Sequence, residues 1–404
     1  MPKLFTPEPS ATEPRAVLAD MVTTPTDRPF SREAVDFCGE LSHALFRAGM
    51  KNRPEVNALA YWFRAAEVAR LKSSFEGLSD DRAIIMPRGT VFHVPPGNVE
   101  TLFLYGWLLS ILCGNRNIVR ISSRASGLTG ELCGLVASLL KNYKKLARIN
   151  FAVSYGHDDQ LTADLSACCD VRIVWGGDET VRALRSVQLP PAARDLCFPD
   201  RYSYSVIRAG AFITSSDAQR RALAHAFYND CYWFDQMACS SPRLIVWCGG
   251  PEECQSARTG FFDLLAREIE QQGYTSEAGT RSGKLLFASQ LILDESVDSY
   301  ETYGNELTVL KLSDLSTLDR NHCGGGLLLS VDVPDLPSLA PIVRRRDQTL
   351  TYFGFERQEM MLLAHSLNGS GLDRIVPVGE ALTFNRFWDG YDLLHELTRR
   401  VWVQ

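Results

Sequence analysis

Short apolar segments that alternate with helical segments are the feature that most constrains the fold of this chain. Residues 117–121 (Asn-Ile-Val-Arg-Ile) have the length and β-branched content of a strand, and residues 127–140 have helical spacing of apolar positions. The alternation recurs from residue 83 to residue 207, which predicts a mostly parallel, doubly wound sheet that binds ligands at the carboxyl ends of its strands. The expected strands are residues 83–86, 91–94, 117–121, 150–153, 171–175 and 203–207, and the expected helices are residues 101–113, 127–140, 160–168 and 180–187.

A second series of elements predicts a second α/β domain. Residues 244–247 (Leu-Ile-Val-Trp) form an apolar strand pattern, and residues 255–272 have helical spacing. The further elements expected are strands at 291–293, 307–312, 326–331, 350–355 and 375–378, a helix at 336–345 and a closing helix near the end.

The same patterns predict how the chain divides. Helical spacing from residue 31 to residue 71 indicates an N-terminal helical region, and the Pro-rich residues before it suggest a loose arm. The expected segments are residues 1–30 as the arm, 31–230 as the helical region plus the first α/β domain, 231–355 as the second α/β domain, and 356–404 as a C-terminal segment that returns to the first domain or makes an oligomer contact.

Composition excludes several classes of protein. A net charge of −6 over 404 residues disfavours a nucleic-acid-binding protein. The chain has no run of 18 apolar residues, so no membrane span is expected, and its first residues do not resemble a secretory signal. The 11 cysteines lack paired C-x-x-C spacing, which favours free thiols in a reducing cytoplasm, and no metal site is expected.

Cys239 is the candidate nucleophile. It lies between an apolar helical run that ends near Phe234 and the strand pattern at 244–247, beside Ser240, Ser241 and Pro242. Backbone N–H groups at such a junction are unpaired and can hold a negative oxygen while a thiolate attacks a carbonyl or thioester carbon. The alternative is that Cys239 is one more small buried residue.

Glycines give two weaker signals. Gly176 and Gly177 follow a strand and precede a helix, so they form either a phosphate-binding loop or an ordinary strand-to-helix turn. The turn at Cys323-Gly324-Gly325-Gly326 is interpreted as flexible. The sequence has no G-x-S-x-G motif, which disfavours a serine hydrolase.

Four segments together resemble the aldehyde dehydrogenase superfamily and, within it, the LuxC-type acyl-CoA reductases of bacterial bioluminescence. They occur in the family's order, and the resemblance covers about three quarters of the chain, from near residue 82 to the C-terminus. The segments are Val94-Pro95-Pro96-Gly97-Asn98-Val99 with the later Cys113-Gly114-Asn115-Arg116-Asn117-Ile118-Val119-Arg120-Ile121-Ser122-Ser123, then Val174-Trp175-Gly176-Gly177-Asp178-Glu179, Phe234-Asp235-Gln236-Met237-Ala238-Cys239-Ser240-Ser241-Pro242, and Tyr300-Glu301-Thr302-Tyr303-Gly304-Asn305-Glu306.

The resemblance implies an aldehyde dehydrogenase-like α/β fold in which the first domain binds the cofactor and the second carries the nucleophile. Cys239 would form the acyl-enzyme, and Asn98, with the Cys239 backbone N–H, would stabilise the oxyanion. The guanidinium of Arg120 suits a 2′-phosphate, so NADPH is favoured, with NADH as the alternative. The remaining implied roles are cofactor binding for Ser122, Gly176, Gly177, Glu301 and Tyr303, and an acyl pocket walled by Tyr232, Trp233 and Phe234.

One departure from the superfamily bears on the reaction. Hydrolytic aldehyde dehydrogenases carry a general-base Glu in a segment that matches residues 196–203, where this chain has no Glu and only a displaced Asp200. The expected reaction is therefore NAD(P)H-dependent reduction of acyl-CoA, or another acyl thioester, to an aldehyde. A hydrolytic aldehyde dehydrogenase and a Cys-dependent acyltransferase without redox chemistry stay open. A homo-oligomer and an acyl-protein synthetase or thioesterase partner are further expectations.

Overall fold

The computed structural model describes residues 3–5, 13–47, 53–78, 82–96, 101–123, 127–156, 158–294, 297–313, 315 and 318–404. In chain order the elements are β1 (Lys3–Phe5), α1 (Pro14–Thr23), α2 (Arg32–Arg47), α3 (Pro54–Trp62), α4 (Ala65–Glu76), β2 (Ala83–Pro87), β3 (Thr90–Val94), α5 (Leu102–Leu112), β4 (Arg116–Ser122), α6 (Gly127–Leu140), α7 (Lys144–Ile149), β5 (Asn150–Tyr155), α8 (Asp159–Ala167), β6 (Val171–Trp175), α9 (Asp178–Ser186), β7 (Arg194–Phe198), β8 (Tyr202–Arg208), α10 (Ala209–Thr214), α11 (Asp217–Tyr232), β9 (Leu244–Cys248), α12 (Pro251–Gln271), α13 (Ala278–Asp294), β10 (Val297–Tyr303), β11 (Leu307–Leu312), β12 (Leu327–Val333), a 3₁₀ helix (Pro337–Ile342), β13 (Asp347–Phe353), α14 (Arg357–Leu367), β14 (Arg374–Pro377), β15 (Phe387–Trp388), β16 (Tyr391–Asp392), α15 (Leu393–Glu396) and β17 (Thr398–Trp402).

The chain divides into two units, Met1–Pro199 with Phe384–Gln404, and Asp200–Thr383. This division differs from the expected boundary at residue 231. Strand β8 pairs with both β9 and β13, so the chain has entered the second sheet by Tyr202. The return of the C-terminus to the first unit begins at Phe384, later than the expected residue 356.

The first unit is built on a six-stranded sheet with strand order β1-β5-β4-β3-β6-β7. Strands β3 to β7 are parallel, and β1 runs antiparallel to β5. Strand β3 lies at the centre with every residue buried, as an apolar strand covered on both faces should be. All residues of α5 are also buried, which explains why its sequence is apolar on every face. The predicted doubly wound sheet is confirmed.

The N-terminal residues are more ordered than the loose arm that their composition suggested. Within the described residues, β1 pairs with β5, and α1 places Leu18 and Met21 in the core beside that sheet. Pro14 occupies the first turn of α1, where proline is tolerated. The expected loose arm was wrong for this helix. The prediction followed the Pro and Thr content and gave too little weight to the helical spacing of Leu18, Met21 and Val22.

The second unit is built on a seven-stranded sheet with strand order β10-β11-β12-β9-β8-β13-β14. All neighbouring strands are parallel except the β10–β11 pair at one edge. Residues 291–293 belong to the end of α13 and not to a strand, so that prediction was wrong. A short apolar run without period-2 alternation fits either state, and the preceding helix continues through it.

The C-terminal segment also differs from the expected closing helix. Helix α15 has one turn, and the chain ends in β17, which pairs antiparallel with β2. Within the described ranges, no helix combines the length and apolar character that a bilayer span requires. In the same ranges, no group of three or more His, Cys, Asp or Glu side chains is placed to hold a metal ion.

Candidate active site

Cys239 lies in the loop between α11 and β9, residues 233–243, here named the Cys239 loop. The loop reverses direction at Asp235 and Gln236, whose φ angles of 51° and 61° are in the left-handed region. Non-glycine residues in that region cost on the order of 1–3 kcal/mol each and persist where surrounding contacts hold them. Two such residues, four and three positions before Cys239, indicate a loop whose shape is imposed by its neighbours.

Gln236 supplies much of that restraint. Its side chain is 1% exposed, and its Nε2 donates to the carbonyl oxygens of Pro242 at 2.9 Å and Leu327 at 3.0 Å. Its Oε1 accepts from the Gly326 N–H at 3.2 Å, so the amide ties both ends of the Cys239 loop to the start of β12.

The glycine turn at 324–326 provides the Gly326 N–H that donates to Gln236. This turn is structured, whereas a flexible turn was expected from the sequence. The Gly325 N–H donates to the Asp235 carbonyl at 2.8 Å. Gly326 has a φ of 78°, and a Cβ there would lie 2.0 Å from the Glu306 carbonyl oxygen. A side chain at this position would therefore displace the turn that supports the Cys239 loop.

Replacing Gln236 by Met should loosen the Cys239 loop. The substitution keeps side-chain length but removes the hydrogen bonds to the Pro242 and Leu327 carbonyls and to the Gly326 N–H, and each buried group left unpaired costs about 1–3 kcal/mol. A loss of about 2 kcal/mol corresponds to roughly thirtyfold faster hydrogen exchange over residues 233–243. Gln290→Met on the exposed face of α13 is the control, and equal exchange in the two variants would contradict the assigned role.

Polar side chains from two neighbouring strands surround Cys239, which is half-buried. Gln348 at the start of β13 is 2% exposed, and its Nε2 donates to the Cys239 sulfur at 3.4 Å. Ser203 at the start of β8 donates to the Cys239 carbonyl at 2.7 Å. The nucleophile therefore lies at the amino ends of these parallel strands.

The ten other cysteines favour the neutral thiol form. Burial raises the pKa of each of the ten thiols other than Cys239, so the reactive thiolate form is disfavoured in all of them. They are Cys38, Cys113, Cys133, Cys168, Cys169, Cys197, Cys231, Cys248, Cys254 and Cys323.

Glu301 and Tyr303 lie together on the edge strand β10. Both are half-buried on the same face of the strand, and the Tyr303 hydroxyl donates to Glu301 Oε2 at 3.1 Å. Burial and the neighbouring Glu301 carboxylate raise the pKa of Tyr303, which keeps its hydroxyl protonated as a donor. Glu301 is thus a strand residue with an oriented carboxylate, whereas the sequence placed it before a strand.

The three aromatic residues expected to wall an acyl pocket differ in their surroundings. Tyr232 is 4% exposed, its ring stacks on Tyr228 with centroids 5.1 Å apart, and its hydroxyl donates to the Glu306 carbonyl. These contacts make Tyr232 part of the core of the second unit. Trp233 and Phe234 are half-buried.

The cofactor residues expected in the first unit follow adjacent strands of its sheet. Arg120 and Ser122 end β4, and Gly176 follows β6. Strand β3 lies between β4 and β6, so these residues flank the point where the strand order reverses, the usual ligand position in such sheets. Asn98 follows β3 in sequence and lies outside the described residues.

Arg120 has a side chain suited to an anion. Its guanidinium carbon lies 4.9 Å from the centre of the Tyr155 ring, and Nη2 donates to the Gly156 carbonyl at 3.4 Å. Its Nε is buried with no hydrogen-bond partner in the described part of the chain. A buried donor without a partner fits a phosphate group better than it fits solvent.

Gly176 and Gly177 are explained largely by the turn itself. Gly176 has a φ of 158°, a Cβ there would lie 3.2 Å from Thr180, and its N–H donates to the Phe198 carbonyl at 3.2 Å. Gly177 caps α9, whose first turn carries Asp178 and Glu179. Those carboxylates already complement the positive helix end and would oppose a phosphate there.

Sequence reasoning missed three of the residues that shape this site. Gln236 was quoted within the D-Q-x-x-C segment, and its buried amide could have been suspected from that motif alone. Gln348 and Ser203 lie 109 and 36 positions from Cys239, so nothing in the local sequence indicates their contacts.

Comparison with known proteins gives a family match and several relatives. The family model described as "Acyl-CoA reductase (LuxC)" matches residues 74–400. The long-chain acyl-protein thioester reductase of Aliivibrio fischeri is 24% identical over 302 residues, which span 72% of this chain and 59% of that protein. The corresponding protein of Photorhabdus laumondii is 26% identical over 339 residues, 81% of this chain and 66% of its own length. The chain thus spans about three fifths to two thirds of these relatives.

Solved structures share the fold. Aldehyde dehydrogenase 21 from Physcomitrella patens, in complex with succinate, aligns with a TM-score of 0.67 at 10% identity. The aligned region covers 96% of this chain and 87% of that protein. Glyceraldehyde-3-phosphate dehydrogenase from Methanocaldococcus jannaschii, complexed with NADP, has a TM-score of 0.61 at 13% identity, with 96% and 89% covered. The aldehyde dehydrogenase-like fold predicted from the sequence is confirmed.

Proposed function

Because the chain belongs to the LuxC family of acyl-CoA reductases, we propose that it reduces an acyl thioester to an aldehyde through an acyl-enzyme on Cys239. The observation that carries this proposal is the half-buried Cys239 held in a restrained loop, with an amide N–H directed at its sulfur. The matched relatives are named for long-chain acyl-protein thioesters, which supports a fatty acyl substrate carried by CoA or by a protein.

The proposed reaction has two chemical steps. The Cys239 thiolate attacks the thioester carbonyl carbon, a new carbon–sulfur bond forms, and the carrier leaves as its thiol after taking up a proton. A reduced nicotinamide, when bound, would supply the hydride for the carbonyl carbon of the acyl-enzyme. Breakage of the carbon–sulfur bond would then release the aldehyde and restore the Cys239 thiolate. Asn98 and the Cys239 backbone N–H are the proposed donors to the oxyanion in both steps.

A nicotinamide dinucleotide is the proposed cofactor, and two features of the chain support it. Arg120 offers a buried, unpartnered Nε beside the reversal point of the first sheet, which favours the 2′-phosphate of NADPH over NADH. Glu301, oriented by Tyr303, is proposed to bind the nicotinamide ribose hydroxyls. Ser122 would contribute a hydroxyl near the adenosine ribose, while Asp178 and Glu179 disfavour the pyrophosphate contact that the resemblance implies for Gly176 and Gly177.

Covalent loading tests the proposal. Incubation with a saturated acyl-CoA should add the mass of one acyl group to the protein, and the adduct should map to Cys239. Addition of NADPH should remove the adduct and release the aldehyde. An adduct that NADPH leaves intact would favour an acyltransferase, and an adduct that disappears as free acid would favour a hydrolytic dehydrogenase.

Substitutions at the proposed cofactor residues should separate binding from acylation. Glu301→Gln should slow hydride transfer by about a hundredfold while acyl loading continues, because a misplaced hydride donor can reduce the rate by that factor. The matched control is Asp298→Asn on the exposed face of β10, which should react normally. Wild-type reduction rates in Glu301→Gln would remove the ribose role.

Arg120→Ala should weaken NADPH more than NADH, since the lost guanidinium would face the 2′-phosphate. The affinities can be measured by quenching of protein fluorescence. Arg182→Ala, on the exposed face of α9, should alter neither. Equal losses for the two cofactors in Arg120→Ala would exclude the proposed selectivity.

A further inference from the structure

A buried guanidinium lies directly against the Cys239 loop. Arg243, the last residue before β9, is 3% exposed. Its Nη2 donates to the Ala238 carbonyl at 2.9 Å, and its Nη1 donates to the carbonyls of Arg201 at 3.2 Å and Cys239 at 3.4 Å. The side chain therefore holds the peptide groups immediately before and after the nucleophile.

The Arg243 guanidinium, held on the Cys239 and Ala238 carbonyls, interacts electrostatically with Cys239. Burial lowers the pKa of Arg243, and the nearby Tyr202, Cys239, Cys231 and Asp200 act in the opposite direction by stabilising the cation. Burial raises the pKa of both Tyr202 and Cys231, so these two groups are neutral near pH 7. Asp200 is exposed, which leaves Cys239 as the half-buried group of this set that can balance the cation.

The remaining charged and titratable neighbours do not change this balance. His322 lies within electrostatic reach of Arg243 and Arg346, and burial together with those cations lowers its pKa to about 3. His322 is therefore neutral through the pH range in which a thiol titrates. Gln348, from β13, adds an N–H donor at the sulfur without a charge, and hydrogen bonds to a charged form favour that form.

We infer that Arg243 is a positioning residue that keeps Cys239 as a thiolate and fixes its backbone for attack, with Gln348 as the hydrogen-bond donor to the sulfur. The proton released by the thiol goes to solvent, so the site needs no general base for the attack. This inference rests on the proposed role of Cys239 and adds how that thiol is activated.

Alkylation by iodoacetamide between pH 5 and pH 10, followed residue by residue with mass spectrometry of peptides, tests the inference. Wild-type Cys239 should be alkylated with a midpoint at least one pH unit below that of glutathione measured under the same conditions. Arg243→Met should raise the Cys239 midpoint by at least one unit, which is about a tenfold slower reaction at pH 7. Arg243→Lys, which keeps the charge, should retain the low midpoint.

Arg258→Met is the matched control. Arg258 is 2% exposed, pairs with Asp332, and lies near the carboxyl end of β12, away from the Cys239 loop. The Arg258→Met substitution removes an equally buried guanidinium and should leave the midpoint pH of Cys239 alkylation unchanged. Equal midpoints in wild type and a folded Arg243→Met protein would overturn the inference, as would a Lys variant that behaves like the Met variant.

The test remains decisive if Arg243→Met does not fold. A wild-type Cys239 midpoint at or above that of glutathione would overturn the inference without any substitution. Because alkylation does not require turnover, this failure is distinguishable from failure of the proposed function, which would show as aldehyde production by a protein that lacks Cys239.

Discussion

Replacing Cys239 by alanine should abolish acyl-enzyme formation and lower aldehyde production by about 10⁴-fold or more, because removal of a covalent nucleophile eliminates the main route of reaction. The fold should survive, since the side chain is half-buried and the loop is held by Gln236 and Arg243. Cys197→Ala is the control, because Cys197 has similar exposure and lies on β7 of the first unit.

The measurement is transfer of a radiolabelled acyl group from acyl-CoA, combined with a circular dichroism spectrum of each variant. Full labelling of Cys239→Ala would remove the assigned nucleophile and direct attention to another thiol. Loss of labelling in Cys197→Ala as well would show that the effect is structural and unrelated to a particular sulfur.

Without a reductant, the acyl-enzyme should persist, because the side chain that contacts the Cys239 sulfur cannot act as a base. Gln348 presents an amide N–H there, and an amide does not accept the proton of an attacking water. Positioned general bases contribute about 10²–10⁴-fold to such steps. Gln348→Glu places a carboxylate of similar length at the same point and should speed hydrolysis of the acyl-enzyme by at least tenfold.

This prediction is tested by loading each protein with a labelled acyl group, removing excess acyl-CoA, and following free acid by chromatography. Gln348→Leu is the control, since it also loses the N–H donor but gains no base. Fast acid release from wild type would show that water is activated by another group, with Asp200 the first to test. The hydrolytic dehydrogenase would then be the better assignment.

The parts of the fold that could be predicted are those in which local pattern and burial agree. Residues 117–121 and 171–175 are mostly apolar because β4 and β6 are largely buried in the first sheet. Strand β10 escaped prediction because it is an edge strand whose exposed residues include Asp298 and Thr302. Its strand character depends on pairing with β11, which local sequence does not show.

The residues of the candidate site also fall into two groups, those that the local sequence indicates and those whose contacts depend on tertiary structure. Cys239 was proposed from the chemistry of its segment, and the role of Glu301 was implied by the resemblance of residues 300–306 to the aldehyde dehydrogenase superfamily. Gln348 was missed because its contact with Cys239 depends on β8 lying between β9 and β13, and strand order is a tertiary property. Arg243 is close in sequence to Cys239, yet an arginine before a strand is usually exposed, and its burial became evident from the structure.

The central claim, that hydride reaches the carbonyl carbon of an acyl group on Cys239, is tested most directly by isotope transfer. Two samples of NADPH are prepared, each with deuterium on a different face of nicotinamide C4. The enzyme is mixed with an acyl-CoA and one of these samples, and the aldehyde is examined by mass spectrometry. We expect one of the two labelled cofactors to deliver a single deuterium to C1 of the aldehyde, and Cys239→Ala to form none. Unlabelled aldehyde from both cofactors, or free acid with the cofactor unchanged, would contradict the account.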